Sequence, residues 1–339
     1  MTKITFTNKC AVPPWMPDEK KKFRKNANEY FKNALVQVPF LKDMELEVTY
    51  FLEGVGSIVA KVVSGDAIYV MKTTETVNHT NGEICSYKAL TDKGIKVPKL
   101  FFDGIQDGFP FLLMEYVASG TLADKVKRNE MKLKDAGEIL ASFFNDMKRV
   151  EGQGYGWPVK YENGILKGNF QDINEFVDTW YCKSEFVEIA NTHMPVLSWS
   201  EEFKKHCTKV KEQNADSLSK LGSFDLHIGH IFATTPPTMF DPCSRLEPEY
   251  FNLGQMMIPF PHHNKDDFAQ GKIIVSKYIE RFGPIDFDKL LTAVWLQTYR
   301  KATNQLMHAD ERRTKNGMHG LEIISNKGAL REHIEKYFV

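Results

Sequence analysis

Four side chains in this sequence have the types and spacing that phosphate chemistry uses. Lys72 ends the run Ala67-Ile68-Tyr69-Val70-Met71-Lys72, and period-two alternation places it on the face of Ile68 and Val70. A lysine on an apolar strand face must be paired or bound to an anion. Glu83, eleven positions on, is the candidate partner, although Thr80-Asn81-Gly82-Glu83 also fits a capping box in which Glu83 satisfies a backbone N–H instead. Further along, Asp225 in Phe224-Asp225-Leu226-His227-Ile228-Gly229-His230 and Asp241 in Phe240-Asp241-Pro242 flank a Thr-Thr-Pro-Pro turn. Two such carboxylates suit phosphoryl transfer from a nucleotide, one orienting an acceptor hydroxyl and the other holding a divalent metal. Between two apolar runs lies Glu53-Gly54-Val55-Gly56-Ser57, whose glycines let backbone N–H groups approach a phosphate.

The surrounding pattern supplies elements to hold these groups. Residues 17–36 carry Phe23, Tyr30, Phe31 and Leu35 among charges and predict one amphipathic cover helix starting at Pro17. Residues 46–73 predict a three-stranded antiparallel meander, followed by a helix from about Asn81 to Lys93. Two more strands, around Pro98–Gly104 and Phe109–Val117, are joined by a turn with the Asp107-Gly108 pair. The first lobe is thus expected to hold five strands and one helix, spanning 1–117 with its cover helix. Ala118-Ser119-Gly120 reads as a hinge. From there to residue 339 the period is mostly helical, near 121–128, 133–150, 171–190, 199–220, 267–281, 287–307 and 320–338. Only Gly222–Pro242 resists, with short β-like pieces at 230–233 and 238–240.

Composition narrows the function classes. With 339 residues, two packed units sharing one cleft are expected. Equal numbers of basic and acidic residues, 44 each, give no electrostatic footprint for nucleic acid or anionic lipid. Five scattered cysteines without a C-x-x-C pair read as reduced thiols of a cytoplasmic protein. No apolar stretch is long enough to span a bilayer, and the N-terminus lacks a signal-like apolar region. His262-His263 is not read as a metal site, since adjacent side chains diverge and no cysteine or carboxylate cluster supports them.

In this order, the Gly-rich turn, Lys72, Glu83, Glu115-Tyr116-Val117, Asp225-Leu226-His227 and Asp241 resemble the protein-kinase-like fold in its aminoglycoside phosphotransferase and choline kinase branch. The resemblance covers roughly residues 46–255. It implies an α+β bilobal fold, with a small antiparallel N-terminal sheet and a larger, mainly helical C-terminal lobe. It further implies an ATP-dependent transfer of the γ-phosphoryl group to a hydroxyl of a small molecule, with Mg²⁺ or Mn²⁺ as cofactor. Asp225 would position or deprotonate the acceptor, and Asp241 would bind metal. Lys72, oriented by Glu83, would contact the α/β-phosphates, Gly54, Gly56 and Ser57 would cover them, and Glu115 and Val117 would offer backbone groups to adenine. His230 stands where the family carries a metal-binding Asn, and imidazole suits Mn²⁺ better than Mg²⁺. Ser223, Phe224 and Asn252 also depart from the family pattern around the same loop. Those departures define the alternative expectation, a kinase-like nucleotide-binding or scaffold protein with weak or no turnover. A cationic acceptor would need an acidic or aromatic wall, for which Glu247, Glu249 and Asp178 are the sequence's candidates.

Overall fold

The computed structural model describes residues 2–14, 16–52, 56–74, 76–260, 265–308 and 310–338, without the side chains of 265–267. Gly54 and the His262-His263 pair therefore lie outside the described residues. The chain opens with strand β1 (Lys3–Phe6), helices α1 (Asp18–Lys25) and α2 (Ala27–Leu35), and strands β2 (Glu45–Tyr50), β3 (Ile58–Ser64) and β4 (Ala67–Thr73). Helix α3 (Val77–Asp92) and strands β5 (Leu100–Gln106) and β6 (Phe109–Glu115) follow. The strands form one sheet in the order β1-β2-β3-β4-β6-β5, antiparallel except where β1 runs parallel to β2. Six strands rather than five are present because Lys3-Ile4-Thr5-Phe6 pairs along β2, with Lys3 salt-bridged to Glu45 at 3.1 Å. The single expected cover helix is two, broken at Asn26, whose backbone leaves the helical region at φ −95°, ψ 9°.

Alternation gives this sheet two working faces. Met71, Phe111 and Leu113 point to one side and pack with Tyr30, Phe31, Ala34 and Leu35 of α2. Val70, Leu112 and Met114 point to the other, against Tyr87 and Leu90 of α3. A fully buried Phe or Tyr contributes roughly 1.5–3 kcal/mol, so both faces are held firmly. Helix α3 is buried nearly all round because the strand at Tyr155–Glu162 lies across its far side. Gly82 permits that approach, since a Cβ there would be 3.3 Å from Pro158 Cδ.

The remainder runs α4 (Leu122–Lys127), α5 (Leu133–Met147), β7 (Glu151–Gln153), β8 (Tyr155–Glu162), β9 (Ile165–Phe170), α6 (Ile173–Trp180), α7 (Ser184–His193) and α8 (Trp199–Gln213). Next come β10 (Ser219–Ser223), β11 (Ile231–Phe232), β12 (Thr238–Met239), β13 (Ser244–Glu247), α9 (Phe251–Met256), α10 (Lys265–Phe282), α11 (Phe287–Leu306), α12 (Glu311–Ser325) and α13 (Lys327–Glu335). The helical expectation holds for most of this half, with corrections: the helix expected over 171–190 is two, α6 and α7, and the one expected over 320–338 is α12, beginning at Glu311, and α13. The 199–220 helix stops at Gln213, and strands β10, β13, β8, β9 and β7 close into a small barrel. Gly154 is required there: its φ is +75° and a Cβ would lie 2.2 Å from the Phe170 carbonyl. Among the described residues no helix is long and apolar enough to cross a membrane, and all five cysteines are free.

Candidate active site

Helix α3 begins at Val77, four residues before the expected start, so Thr80 and Glu83 lie inside it and the capping-box reading fails. Glu83 instead turns inward to the Lys72 ammonium, 2.8 Å from Oε2 and 2.9 Å from Oε1. Both side chains are buried, at 4% and 2% exposure. The same ammonium lies 2.8 Å from Asp241 Oδ1. One cation from the sheet thus joins carboxylates from α3 and from the second half of the chain.

Electrostatics rank these partners. Burial alone would lower Lys72, but the Glu83 and Asp241 carboxylates outweigh it and hold the ammonium above its usual range. Burial also works to raise Asp241, and there Lys72 wins, keeping the carboxyl below the usual carboxylate range. At Glu83 burial prevails over the pull of Lys72 and pushes the carboxyl up. The two directions in the Lys72–Glu83 pair differ because one cation serves two acids. The fully enclosed Glu83 ionises with more difficulty, and Asp241 is the firmer counter-ion.

Asp225 and Asp241 leave the ends of neighbouring strands. Ser223 of β10 stands opposite Ser244 of β13, and the Phe224 N–H extends the ladder to the Cys243 carbonyl at 3.2 Å. Asp225 is exposed, and its N–H donates to Ser223 Oγ at 3.2 Å. A short helical turn, residues 228–230, then leads into the β11–β12 hairpin, where the Phe240 N–H donates to the His230 carbonyl at 2.9 Å. Asp241 is pinned: its N–H donates to Tyr87 Oη at 3.1 Å, the Cys243 thiol donates to its Oδ1 at 3.3 Å, and Asp241 and Cys243 both have positive φ, +46° and +40°. Such strain at non-glycine residues persists only where the surroundings over-determine it.

Under the loop, Asn252 of α9 sits against Gly222. A Cβ on Gly222 would lie 1.3 Å from Asn252 Nδ2, so Gly222→Ala is expected to cost about 1–3 kcal/mol by overpacking. Adding Asn252→Ala should restore more than half of that loss. Urea unfolding of the two variants checks this; a double variant no more stable than Gly222→Ala would show that the clash is elsewhere.

The other expected groups are placed as follows. Gly56 is exposed, and the Ser57 carbonyl accepts from Arg24 of α1 at 3.0 Å, so the cover helix grips the end of the Gly-rich turn. Glu115 ends β6, where its N–H donates to the Lys99 carbonyl at 2.9 Å, and the Val117 carbonyl accepts from the Ser119 N–H at 2.9 Å. The expected metal pair is divided between two clusters among the described residues: His79, Asp241 and Cys243, and Asp225, His227 and His230. Within each, the ligand atoms lie within 4.8 Å of one another. His230 Nδ1 is buried without a hydrogen-bond partner, and burial followed by the neighbouring His227 lowers its affinity for a proton. Asp241 and His230 thus fall in different clusters, and an imidazole nitrogen left without a partner is a donor that suits Mn²⁺ better than Mg²⁺.

Sequence reasoning did not find the side chains that wall this cleft. Phe224 packs on Trp157 with centroids 5.4 Å apart, and Trp157 on Trp180 at 6.1 Å and His79 at 5.5 Å. Arg245 Cζ lies 4.7 Å from the Phe224 ring and 5.0 Å from Trp180, and Arg300 Cζ lies 5.2 Å from Trp180. These residues come from α3, β8, α6, β13, α11 and the loop after β10, and no local spacing connects them.

No family model and no curated protein sequence matches this chain. Solved structures do. Aminoglycoside phosphotransferase APH(4)-Ia superposes with a TM-score of 0.59 at 12% identity, over 89% of this chain and 98% of that one. A thermostable variant of that enzyme, in a ternary complex with ADP and hygromycin B, gives 0.59 at 11% over 89% and 99%. A protein assigned as a fructosamine-3-kinase, from Haemophilus somnus 129PT, gives 0.58 at 10% over 88% and 97%. At such identities the likeness speaks to architecture, and the architecture is clear: this chain has the bilobal protein-kinase-like fold found in aminoglycoside phosphotransferases.

Proposed function

We propose that the chain is an ATP-dependent phosphotransferase that moves the γ-phosphoryl group to a hydroxyl of a small molecule. The observation that carries the reading is the buried Lys72 ammonium held by Glu83 and Asp241, with exposed Asp225 on the neighbouring strand end. Structural neighbours with ADP and hygromycin B bound support it.

In this reading Asp225 accepts the proton of the acceptor hydroxyl as that oxygen bonds to the γ-phosphorus and the bond to the ADP oxygen breaks. Lys72 leaves Asp241 for the α/β-phosphates while Glu83 keeps its direction. Gly54, Gly56 and Ser57 would cover the phosphates, and Glu115 and Val117 would offer backbone groups to adenine. Asp241, with His230, would hold the divalent ion, which when bound neutralises charge on the phosphates. Ser223 Oγ accepts the Asp225 N–H, so the loop is braced despite its altered sequence, which favours turnover over a scaffold role.

Calorimetric titration of ATP with Mg²⁺ and then Mn²⁺ tests the assignment. Tighter binding with Mn²⁺, lost by at least tenfold in Asp241→Ala, is the expected result. Absence of ATP binding with either ion in folded protein would overturn it.

A further inference from the structure

The three acids that could have formed a wall for a cationic acceptor are already committed. Glu247 is fully buried and paired with Arg245 at 2.7 Å. Asp178 pairs with Lys211 at 2.6 Å, and Glu249 meets the Tyr278 hydroxyl at 3.5 Å. Near Asp225 the surplus charge is positive. Arg245 lies over Phe224, the residue preceding Asp225, and its Nε is buried without a hydrogen-bond partner. Arg300 and Lys301, consecutive on α11, are half-buried. Neither side chain makes an ion pair or hydrogen bond to any described residue. Arg300 only faces the rings of Trp180 and Tyr181, at 5.2 and 5.7 Å.

We propose that Arg300 and Lys301 form an anion-binding subsite for the acceptor, so that the hydroxyl compound phosphorylated here carries a carboxylate or phosphate group and is not a polyamine. The inference rests on the phosphotransferase reading above. Two partly desolvated cations on adjacent helix positions, balanced only beyond ion-pair distance by Glu247 and Asp225, are costly unless a ligand supplies more charge. Burial, then the neighbouring cations, lowers Lys301, and only Asp225 counteracts them. A charge so placed has a use when an anion enters. The guanidinium of Arg300, over Trp180 at 5.2 Å and without a hydrogen-bond partner, keeps its N–H donors for a two-point contact with a carboxylate or phosphate. The Trp157–Phe224–Trp180 surface gives the uncharged body of such a ligand an apolar face to lie on. An ammonium-bearing acceptor in the same place would meet like charge and be disfavoured.

Matched sugars test this directly: glucose, glucosamine, gluconate and glucose 6-phosphate, each titrated into ADP-loaded protein and followed by thermal shift and calorimetry. The expected result is binding of gluconate or glucose 6-phosphate at least tenfold tighter than of glucose and glucosamine. Preference between the two anions identifies carboxylate or phosphate as the recognised group. That difference should weaken with added salt and fall at least fivefold in Arg300→Gln and in the more accessible Lys301→Gln. Circular dichroism and an ATP titration on each variant establish that it is folded. Glucosamine binding as well as the anions, no anion binding above that of glucose, or anion binding unaltered in both variants would each overturn the proposal. Failure of the phosphotransferase reading shows separately, as loss of ATP binding in the wild-type protein while the anion preference persists.

Discussion

Asp225→Asn is expected to lower phosphoryl transfer by about 10²–10⁴-fold, the contribution of a positioned general base, while ATP affinity changes less than about twofold. The separation follows from the placement of the side chain. Asp225 is exposed, it stands on a strand end fixed by the Phe224–Cys243 and Ser223–Asp225 hydrogen bonds, and neither bond uses its carboxylate. Stability should therefore move by no more than about 0.5 kcal/mol. Single-turnover formation of ADP, with the acceptor selected by the sugar series and with water alone, provides the measurement. A variant retaining more than a tenth of the wild-type rate with normal ATP binding would remove Asp225 from the reaction.

Lys72→Met has the larger effect on the fold. It leaves Glu83 and Asp241 facing each other without a cation, and removing one partner of a buried ion pair costs about 3–5 kcal/mol. ATP affinity should fall by at least about tenfold, since a phosphate contact to a cation is lost. The pH dependence has a definite sign. In the wild type Asp241 titrates below its unfolded range, so its contribution is present above that range and disappears as pH falls through the folded value. Glu83, already raised in the wild type, gives both proteins some added stability on acidification. In the variant it loses the opposing ammonium and Asp241 is raised as well, so stability increases more steeply there as pH is lowered from 7 to 5. The gap between the two proteins should thus narrow on acidification. Urea midpoints at pH 7.5 and 5 measure it; a gap that is constant or widens toward pH 5 would show that the ammonium is not the counter-ion of both acids.

The ion pair at the centre of the site was readable because its causes are local. Strand alternation put Lys72 on a buried face, and a helix soon after it supplied an acid. The choice between pairing and capping was not readable, because it depended on Asn78, His79 and Gly82 joining the helix despite weak propensity, under the cover of β8. The barrel was missed for a related reason. Strands β7, β10 and β13 have three to five residues, and their partners lie far away in the chain, as with Gly152 opposite Ser219 and Leu246 opposite Gly156. So short a strand has no period to detect. Asp225 and Asp241 could be singled out by the turn between them, but Trp180, Arg245 and Arg300 meet only through the packing of α6, β13 and α11.

Pro242 stands between two residues in left-handed backbone conformations, with the Asp241 amide tied to Tyr87. Proline fixes its own φ and restricts the residue before it, so this tripeptide has very few arrangements open to it. The carboxylate that would meet the metal is consequently set in position during folding. Ligand capture then requires little ordering of this segment, and its share of the entropy change on binding should be small beside that of released water. A site organised in this way is in place for its ligands as soon as the chain has folded. Its throughput would follow the supply of nucleotide and acceptor.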